Sequence, residues 1–345
     1  MNVSLQPAII SALGAAVLFG ASTPAAKLLA GEVHPVLLAG LLYAGSGVGL
    51  AAAMLARKAH VARPARGDWP WLAGAVLSGG VAGPVLLMIG LRSTTAASAS
   101  LLLNLEGVLT ALIAWFAFRE NFDRRIAAGM ALIVAGGAIL AVERAGSYSF
   151  DSGALAVVAA CLAWALDNNL TRKVSAADAT TLAAIKGLAA GAVNLAIAWS
   201  LGADWPGAAT ALAAAGIGWA GYGVSLVLFV IALRELGAAR TSAYFSAAPF
   251  VGVALSLIAL GESPPAQFWG AAALMLAGVW LHVSERHEHE HVHEPMEHEH
   301  AHVHDEHHRH EHEPGAGEAP HTHRHGHTPL VHSHPHYPDI HHRHH

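Results

Sequence analysis

Charge is scarce in this 345-residue chain, where Lys, Arg, Asp and Glu together make up only 12% of the residues. A soluble globular domain carries roughly twice that share, so composition alone argues against a water-soluble enzyme. Cysteine is nearly absent. The single Cys161 sits in an apolar run, which excludes an intrachain disulfide and leaves the redox compartment unreadable. No dense cluster of Lys or Arg offers a phosphate footprint, so no nucleic-acid partner is expected. The N-terminus has no basic stretch before its first apolar run and no small-residue cleavage site after it, so that run reads as a retained anchor. What the chain has instead is apolar surface: 54% hydrophobic residues and a mean hydropathy of +0.43. This is the profile of an integral membrane protein whose first partner is the lipid bilayer.

Charge is also unevenly placed. Residues 1–284 hold 15 Lys/Arg and 12 Asp/Glu, whereas residues 285–345 hold 4 Arg, 12 Asp/Glu and 23 of the 26 histidines. The sequence therefore divides into an apolar part and an acidic, histidine-rich tail. A bilayer core about 30 Å thick takes about 20 helical residues to cross. On that measure spans fall near 8–28, 36–56, 71–91, 95–118, 125–143, 153–172, 180–201, 208–233, 237–260 and 266–284. Many are rich in Gly, Ala and Ser, which let helix backbones approach closely and favour a compact bundle. With the N-terminus inside, the inner loops collect Arg57, Lys58, Arg63, Arg66, Arg119, Arg124, Arg125, Arg172, Lys173 and Arg234. Only Lys27, Arg92 and Arg144 fall on the other side. The bias puts both termini in the cytoplasm, with Trp69 and Trp71 as interfacial anchors.

Laid on itself at an offset of 142 residues, the chain matches without gaps across two spans. Leu91-Arg92 meets Leu233-Arg234, Ser100 meets Ser242, Asn104 meets Ser246, Gly107 meets Pro249 and Glu120 meets Glu262. A weaker correspondence relates Phe19-Gly20 and Ser22-Thr23 to Trp164-Ala165 and Asp167-Asn168. Five helices per half is an odd number, so the second half enters the membrane from the opposite side, as in many secondary transporters. The expected domains are a first repeat at 1–146, a second at 147–284 and a disordered tail at 285–345. In such folds Gly and Pro interruptions in equivalent helices point to a substrate site near mid-membrane. Here they select Gly107 and Pro249.

Two stretches carry a family resemblance: Leu105-Glu106-Gly107-Val108 through Phe118-Arg119-Glu120, and Ala247-Ala248-Pro249-Phe250 through Leu260-Gly261-Glu262. With two five-helix halves around them, residues 8–284 resemble the EamA-like branch of the drug/metabolite transporter superfamily. The resemblance implies a ten-helix carrier working by alternating access. It also implies a central cavity lined by the third, fourth, eighth and ninth helices and parts of the first and sixth. Gly107 stands where the family often has proline, so the two halves are expected to bend unequally. The tail lies outside the family pattern.

Charged residues inside a span need a partner or a job. Lys27 lies near a helix end and can snorkel to the interface. Asp167 and Lys186 sit at nearly the same depth, about 7–9 Å from the inner edge at 1.5 Å rise per residue. They read first as a structural ion pair and second as a gate. Glu106 stands near the middle of its span with no basic residue at matching depth, which makes it the candidate to carry a proton or contact a cation. A protonated carboxyl bonded to a backbone carbonyl is the competing reading. Ser100, Asn104 and Gly107, like Ser242, Ser246 and Pro249, follow an i, i+4, i+7 spacing along one helix face. Such stripes serve either as interhelical glue or as a cavity wall. Asn168, Asn169, Tyr222 and Tyr244 are weaker candidates. No nucleophile-and-base spacing, phosphate-cradling Gly loop or paired-carboxylate motif occurs, so no catalytic site and no required cofactor are expected.

The tail reads as clusters. His287, His289, His291 and His293 are followed by His298, His300, His302 and His304, then by His307, His308, His310 and His312. Beyond a Pro/Gly break come His321, His323, His325 and His327, then His332, His334 and His336. Interleaved Glu, Asp and Pro leave no core. The i, i+2 spacing brings imidazoles to one side of an extended chain, where they suit Zn, Ni, Co or Cu ions alike. Full protonation would also carry the tail from −8 to +15, which makes a pH-responsive segment a second reading. Taken together, the sequence reads as a multi-pass secondary transporter of a bacterial inner membrane, exporting a small solute, with a metal-binding tail. Divalent-metal efflux and a membrane-anchored metal buffer or sensor are the alternatives, and a homodimer is compatible with either.

Overall fold

The structure, a computed structural model, describes residues 5–57, 64–118, 124–142, 151–174, 179–283, 288–293, 296–302, 321–327 and 330–335. Up to residue 283 it is a helical bundle. Its elements are α1 (Leu5–Ala30), α2 (Pro35–Ala56), α3 (Trp69–Ala75), α4 (Gly83–Ser93), α5 (Ala96–Leu102), α6 (Asn104–Phe118), α7 (Arg124–Ala141), α8 (Ser152–Arg172), α9 (Ala179–Ser200), α10 (Ala208–Gly218), α11 (Ser225–Phe245), α12 (Ala248–Ala259) and α13 (Ala266–Val283). Two π-helical segments join pieces into longer rods: Val76–Ala82 between α3 and α4, and Trp219–Val224 between α10 and α11. Seven described helices are long and apolar enough to cross a bilayer, and three shorter apolar helices complete ten.

Local chemistry sets the starts. Proline occupies the first turn of α2 and α12, where its missing N–H has no helical partner to lose. Thr95 caps α5 by accepting from Ser98 N–H at 3.1 Å, and Asp151 caps α8 by accepting from Gly153 N–H at 2.8 Å. Packing rests on small residues. On the α2–α9 contact, a Cβ added at Gly47 would lie 2.4 Å from the Leu188 nitrogen, and one at Gly187 would meet the Gly47 Cα at 2.8 Å. Only bare backbone fits there, which is close small-residue packing of the membrane type. The helices α1 with α11 and α12, α4 with α8, and α7 with α13 form the other main contacts.

The two repeats agree where the chain deviates from α-helix. Shifted by the offset of 142, Val76–Ala82 falls on residues 218–224, and the second π-helical segment is Trp219–Val224. Two expected boundaries are corrected. The eighth span does not stop at Arg234-Glu235, because α11 continues to Phe245. The charge that ends a hydropathy window sits on good helix formers, so the backbone has no cause to break. In the first half the equivalent chain does break at Thr94, where Thr95 caps a new helix.

The second correction concerns the mid-membrane interruptions. In the first half the helix breaks at Leu103, not Gly107. Asn104 stabilises the break by donating its side-chain amide to the Leu101 carbonyl at 2.8 Å. Gly107 lies inside α6 with open space where a Cβ would be. In the second half the break falls just before α12, and Pro249 begins that helix instead of kinking one. The breaks remain equivalent, since Leu103 falls on residue 245 at the same offset.

The tail forms a unit of its own, residues 286–345. Its described stretches are extended chain in two antiparallel ribbons: β1 (Glu288–His293) with β4 (Leu330–Pro335), and β2 (Met296–His302) with β3 (His321–His327). Alternating His with Glu supplies backbone for pairing but no apolar face for a core.

Candidate functional site

Glu106 lies in the first turn of α6, and α8 packs along α6. From α8, the Asn168 side-chain amide donates to Glu106 Oε1 at 2.9 Å and to Thr110 Oγ1 at 3.2 Å. Asn169, the next residue, donates to the Thr110 carbonyl at 3.2 Å and to the Ala165 carbonyl at 2.8 Å. Thr110 is one helical turn beyond Glu106, so both face α8. Glu106 is half-buried and Asn168 exposed, leaving this carboxylate–amide–hydroxyl group accessible beside the break between α5 and α6. It joins the two halves, because Glu106 and Thr110 belong to the first and Asn168 to the second.

Beside it lies a charged pair. Lys186 of α9 donates to both oxygens of Asp167, at 2.5 and 2.7 Å, and the Thr171 hydroxyl donates to the same carboxylate at 2.8 Å. Asp167 is 6% exposed. The carboxylate packs so tightly on the first π-helical segment that a Cβ at Gly79 would sit 1.9 Å from its Oδ2. The carbonyls of that segment are used as acceptors. The Gly79 carbonyl accepts from the Tyr43 hydroxyl at 2.9 Å and from the Trp164 indole at 2.8 Å, and the Gly80 carbonyl accepts from Asn194 at 3.1 Å. In the second half, a Cβ at Gly221 would meet Ser22 at 2.5 Å. Gly221 is Gly79 shifted by 142, and Ser22 is the residue that the sequence aligned with Asp167. Tyr222 of the second π-helical segment stacks on Tyr43, ring centroids 5.6 Å apart, and meets Phe19 edge-on at 6.0 Å. The π-helical segments thus meet α8 and α1 in mirrored fashion, a use of π-bulges seen often at functional sites.

The remaining candidates fall elsewhere. Ser100 is 1% exposed, its hydroxyl without a hydrogen-bond partner among the described residues. It is wedged against α12, where a Cβ at Gly252 would lie 2.6 Å from its oxygen. This is an interhelical position. Asn104 is turned onto its own helix break, Ser246 lies at the equivalent break, and Ser242 lies in α11. Lys27 does more than reach the interface: it donates to the carbonyls of Leu91 and, at 2.8 Å, Thr94. Of the tail, His287, His304, His307, His308, His310, His312 and His336 lie outside the described residues, as does Glu120. Thr110 was not singled out in the sequence, although its i+4 spacing from Glu106 was the available signal. Tyr43 and the Gly79 carbonyl left no readable signal beyond the Gly79–Gly221 match.

Residues 6–142 and 151–284 each match the EamA-like transporter family. The chain belongs to that family. This EamA-like chain is 29% identical, over 292 residues, to an uncharacterized transporter of Methanothermobacter thermautotrophicus, covering 79% of the chain and 84% of that protein. It is 47% identical over 75 residues to a probable 4-amino-4-deoxy-L-arabinose-phosphoundecaprenol flippase subunit, ArnE, of Pseudomonas paraeruginosa. That match takes in 22% of the chain and 63% of the subunit. A protein of known crystal structure shares the fold at 23% identity, with a TM-score of 0.59 over 79% of this chain and 94% of its own.

Proposed function

We propose that this EamA-like protein is a secondary transporter that exports a small solute across a bacterial inner membrane by alternating access, with both termini in the cytoplasm. The observation that carries the reading is the Glu106–Asn168 bond between the two repeats. A half-buried carboxylate just past a helix break, held across the interface that must rearrange, is suited to exchange a proton or contact a cationic group in each cycle. Asn168 and Thr110 orient it, while the Asp167–Lys186 pair sets the neighbouring wall. The tail supplies a second activity, loose binding of Zn, Ni, Co or Cu ions by neutral imidazoles. That part of the reading rests on composition, and it keeps divalent-metal efflux as the second reading and a membrane-anchored metal buffer or sensor as a third.

The test is a transport panel in sealed vesicles holding full-length protein, offered small metabolites and Zn, Ni, Co and Cu salts under an imposed pH gradient. The expected result is gradient-driven flux of one class, abolished in Glu106→Gln with the protein still folded. Undiminished flux in that variant would remove Glu106 from the mechanism. Flux of the metal salts alone would favour the efflux reading.

A further inference from the structure

At the end of the bundle where α1 and α4 terminate and α5 begins, charged side chains hold backbone groups in one layer. Arg92 of α4 donates to the carbonyls of Ala30 at 3.0 Å and Val33 at 3.2 Å, which closes the end of α1. Lys27 of α1 reciprocates on the Leu91 and Thr94 carbonyls at the end of α4. Both ties stay within the first repeat. Glu262 is different. It follows Gly261, whose φ of +64° turns the chain sharply after α12. Its carboxylate reaches into the other repeat, Oε1 accepting from Ala96 N–H and Oε2 from Ala97 N–H, each at 2.8 Å. These are first-turn amides of α5 that no helical carbonyl can satisfy. With Thr95 taking the Ser98 amide, the first three amides of α5 are bonded. Lys27 stands near enough to attract the Glu262 carboxylate electrostatically.

Just beneath this layer the bundle is shut. A Cβ at Gly252 would lie 2.6 Å from Ser100 Oγ and 2.9 Å from the Gly20 carbonyl, and one at Gly20 would lie 2.3 Å from the Ala248 carbonyl. We infer that Glu262 is the latch of a gate at this end, a positioning residue that holds the second repeat against α5 in the closed state and lets go when the end opens. Of the hydrogen bonds that charged side chains make in the layer, among the described residues, those of Glu262 span the two repeats, so they must break when the repeats move apart. The hydrogen bonds of Glu262 are to backbone amides alone, and the nearby Lys27 is half-buried and keeps its own bonds to the Leu91 and Thr94 carbonyls. Releasing Glu262 therefore strands no fully buried charge on the other repeat. The inference rests on the alternating-access reading above.

The experiment places a cysteine at Ser100, behind the latch, and measures its rate of modification by a membrane-impermeant maleimide added from the Glu262 end. Cys161, the native cysteine, is buried and supplies a quiet background. In otherwise native protein the Ser100→Cys site should react slowly. Glu262→Ala, which removes both acceptors, should raise the rate about tenfold or more, since each lost charge-assisted bond moves the equilibrium by at least that order. Glu262→Gln keeps the length and one acceptor and should fall between. It also serves where the alanine variant does not fold. Equal rates in all folded variants, even with a lowered Tm, would leave Glu262 a structural cap and overturn the latch. Because the labelling needs neither substrate nor Glu106, its failure is distinguishable from loss of the Glu106 role.

Discussion

Replacing Lys186 by Met leaves the Asp167 carboxylate with one remaining donor, the Thr171 hydroxyl at 2.8 Å, where it had two short ammonium bonds as well. The carboxylate is 6% exposed, and the Gly79 backbone occupies the space where water would enter. Breaking one side of a buried ion pair costs about 3–5 kcal/mol, because the surviving charge is left unpaired. The Lys186 side chain is 19% exposed, which places the cost at the lower end, about 3 kcal/mol. At about 2–4 °C per kcal/mol for a chain of this size class, Tm in detergent should fall by about 6–12 °C. Adding Asp167→Asn removes the orphaned charge and should recover at least half of that loss. The assay is thermal unfolding of the wild type, both single variants and the double variant, read as a double-mutant cycle. Single variants that melt with the wild type, or a double variant no better than the sum of the singles, would refute the pairing as a structural unit. The pair would then be free to act as a gate.

Gly47→Val should lower Tm by the equivalent of about 1–3 kcal/mol, because its Cβ would lie 2.4 Å from the Leu188 nitrogen across the α2–α9 contact. Gly31→Ala, with nothing within 4 Å of the added carbon, is the matched control and should leave Tm unchanged; equal effects would contradict the close packing. Truncation after Val283 should remove most Zn or Ni bound per chain in equilibrium dialysis at pH 7.5 while the bundle stays folded. In full-length protein the same binding should be lost as pH falls below about 6, where protonation of the imidazoles removes the ligand lone pairs. Undiminished binding by the truncated chain would move the metal site into the bundle.

Much of this fold could be read from hydropathy, because a bilayer demands about 20 apolar residues per crossing whatever their order. Where helices break demands more. Arg234-Glu235 is a strong hydropathy signal and a weak conformational one, so α11 runs through it. Thr94-Thr95 is the reverse, a modest polar pair whose second member caps a helix. Gly107 and Pro249 drew attention as helix-breaking residue types, yet the interruptions lie at Leu103 and just before α12, and Pro249 starts a helix there. In the site, the Asp167–Lys186 pair was legible because depth alone brings opposite charges level. The Glu106–Asn168 bond was not, because it depends on how α8 is rotated against α6. No spacing within either helix encodes that rotation.

An alternating carrier needs an interface that is tight in each state and yet comes apart. Between helices in lipid there is no hydrophobic drive to separate against, since acyl chains are as apolar as Leu. At the Glu262 end the repeats meet through bare backbone, as at Gly20 against Ala248 and Gly252 against Ser100. The polar ties between the repeats include Glu106–Asn168 beside the break in the fourth span and Glu262 on Ala96 and Ala97 at one end. Bonds to charged groups contribute about 1.5–3 kcal/mol each. On the alternating-access reading proposed above, bonds of this size set a difference between the two states that a proton on Glu106 or a bound solute can reverse, which is the condition for ligand-driven exchange between them.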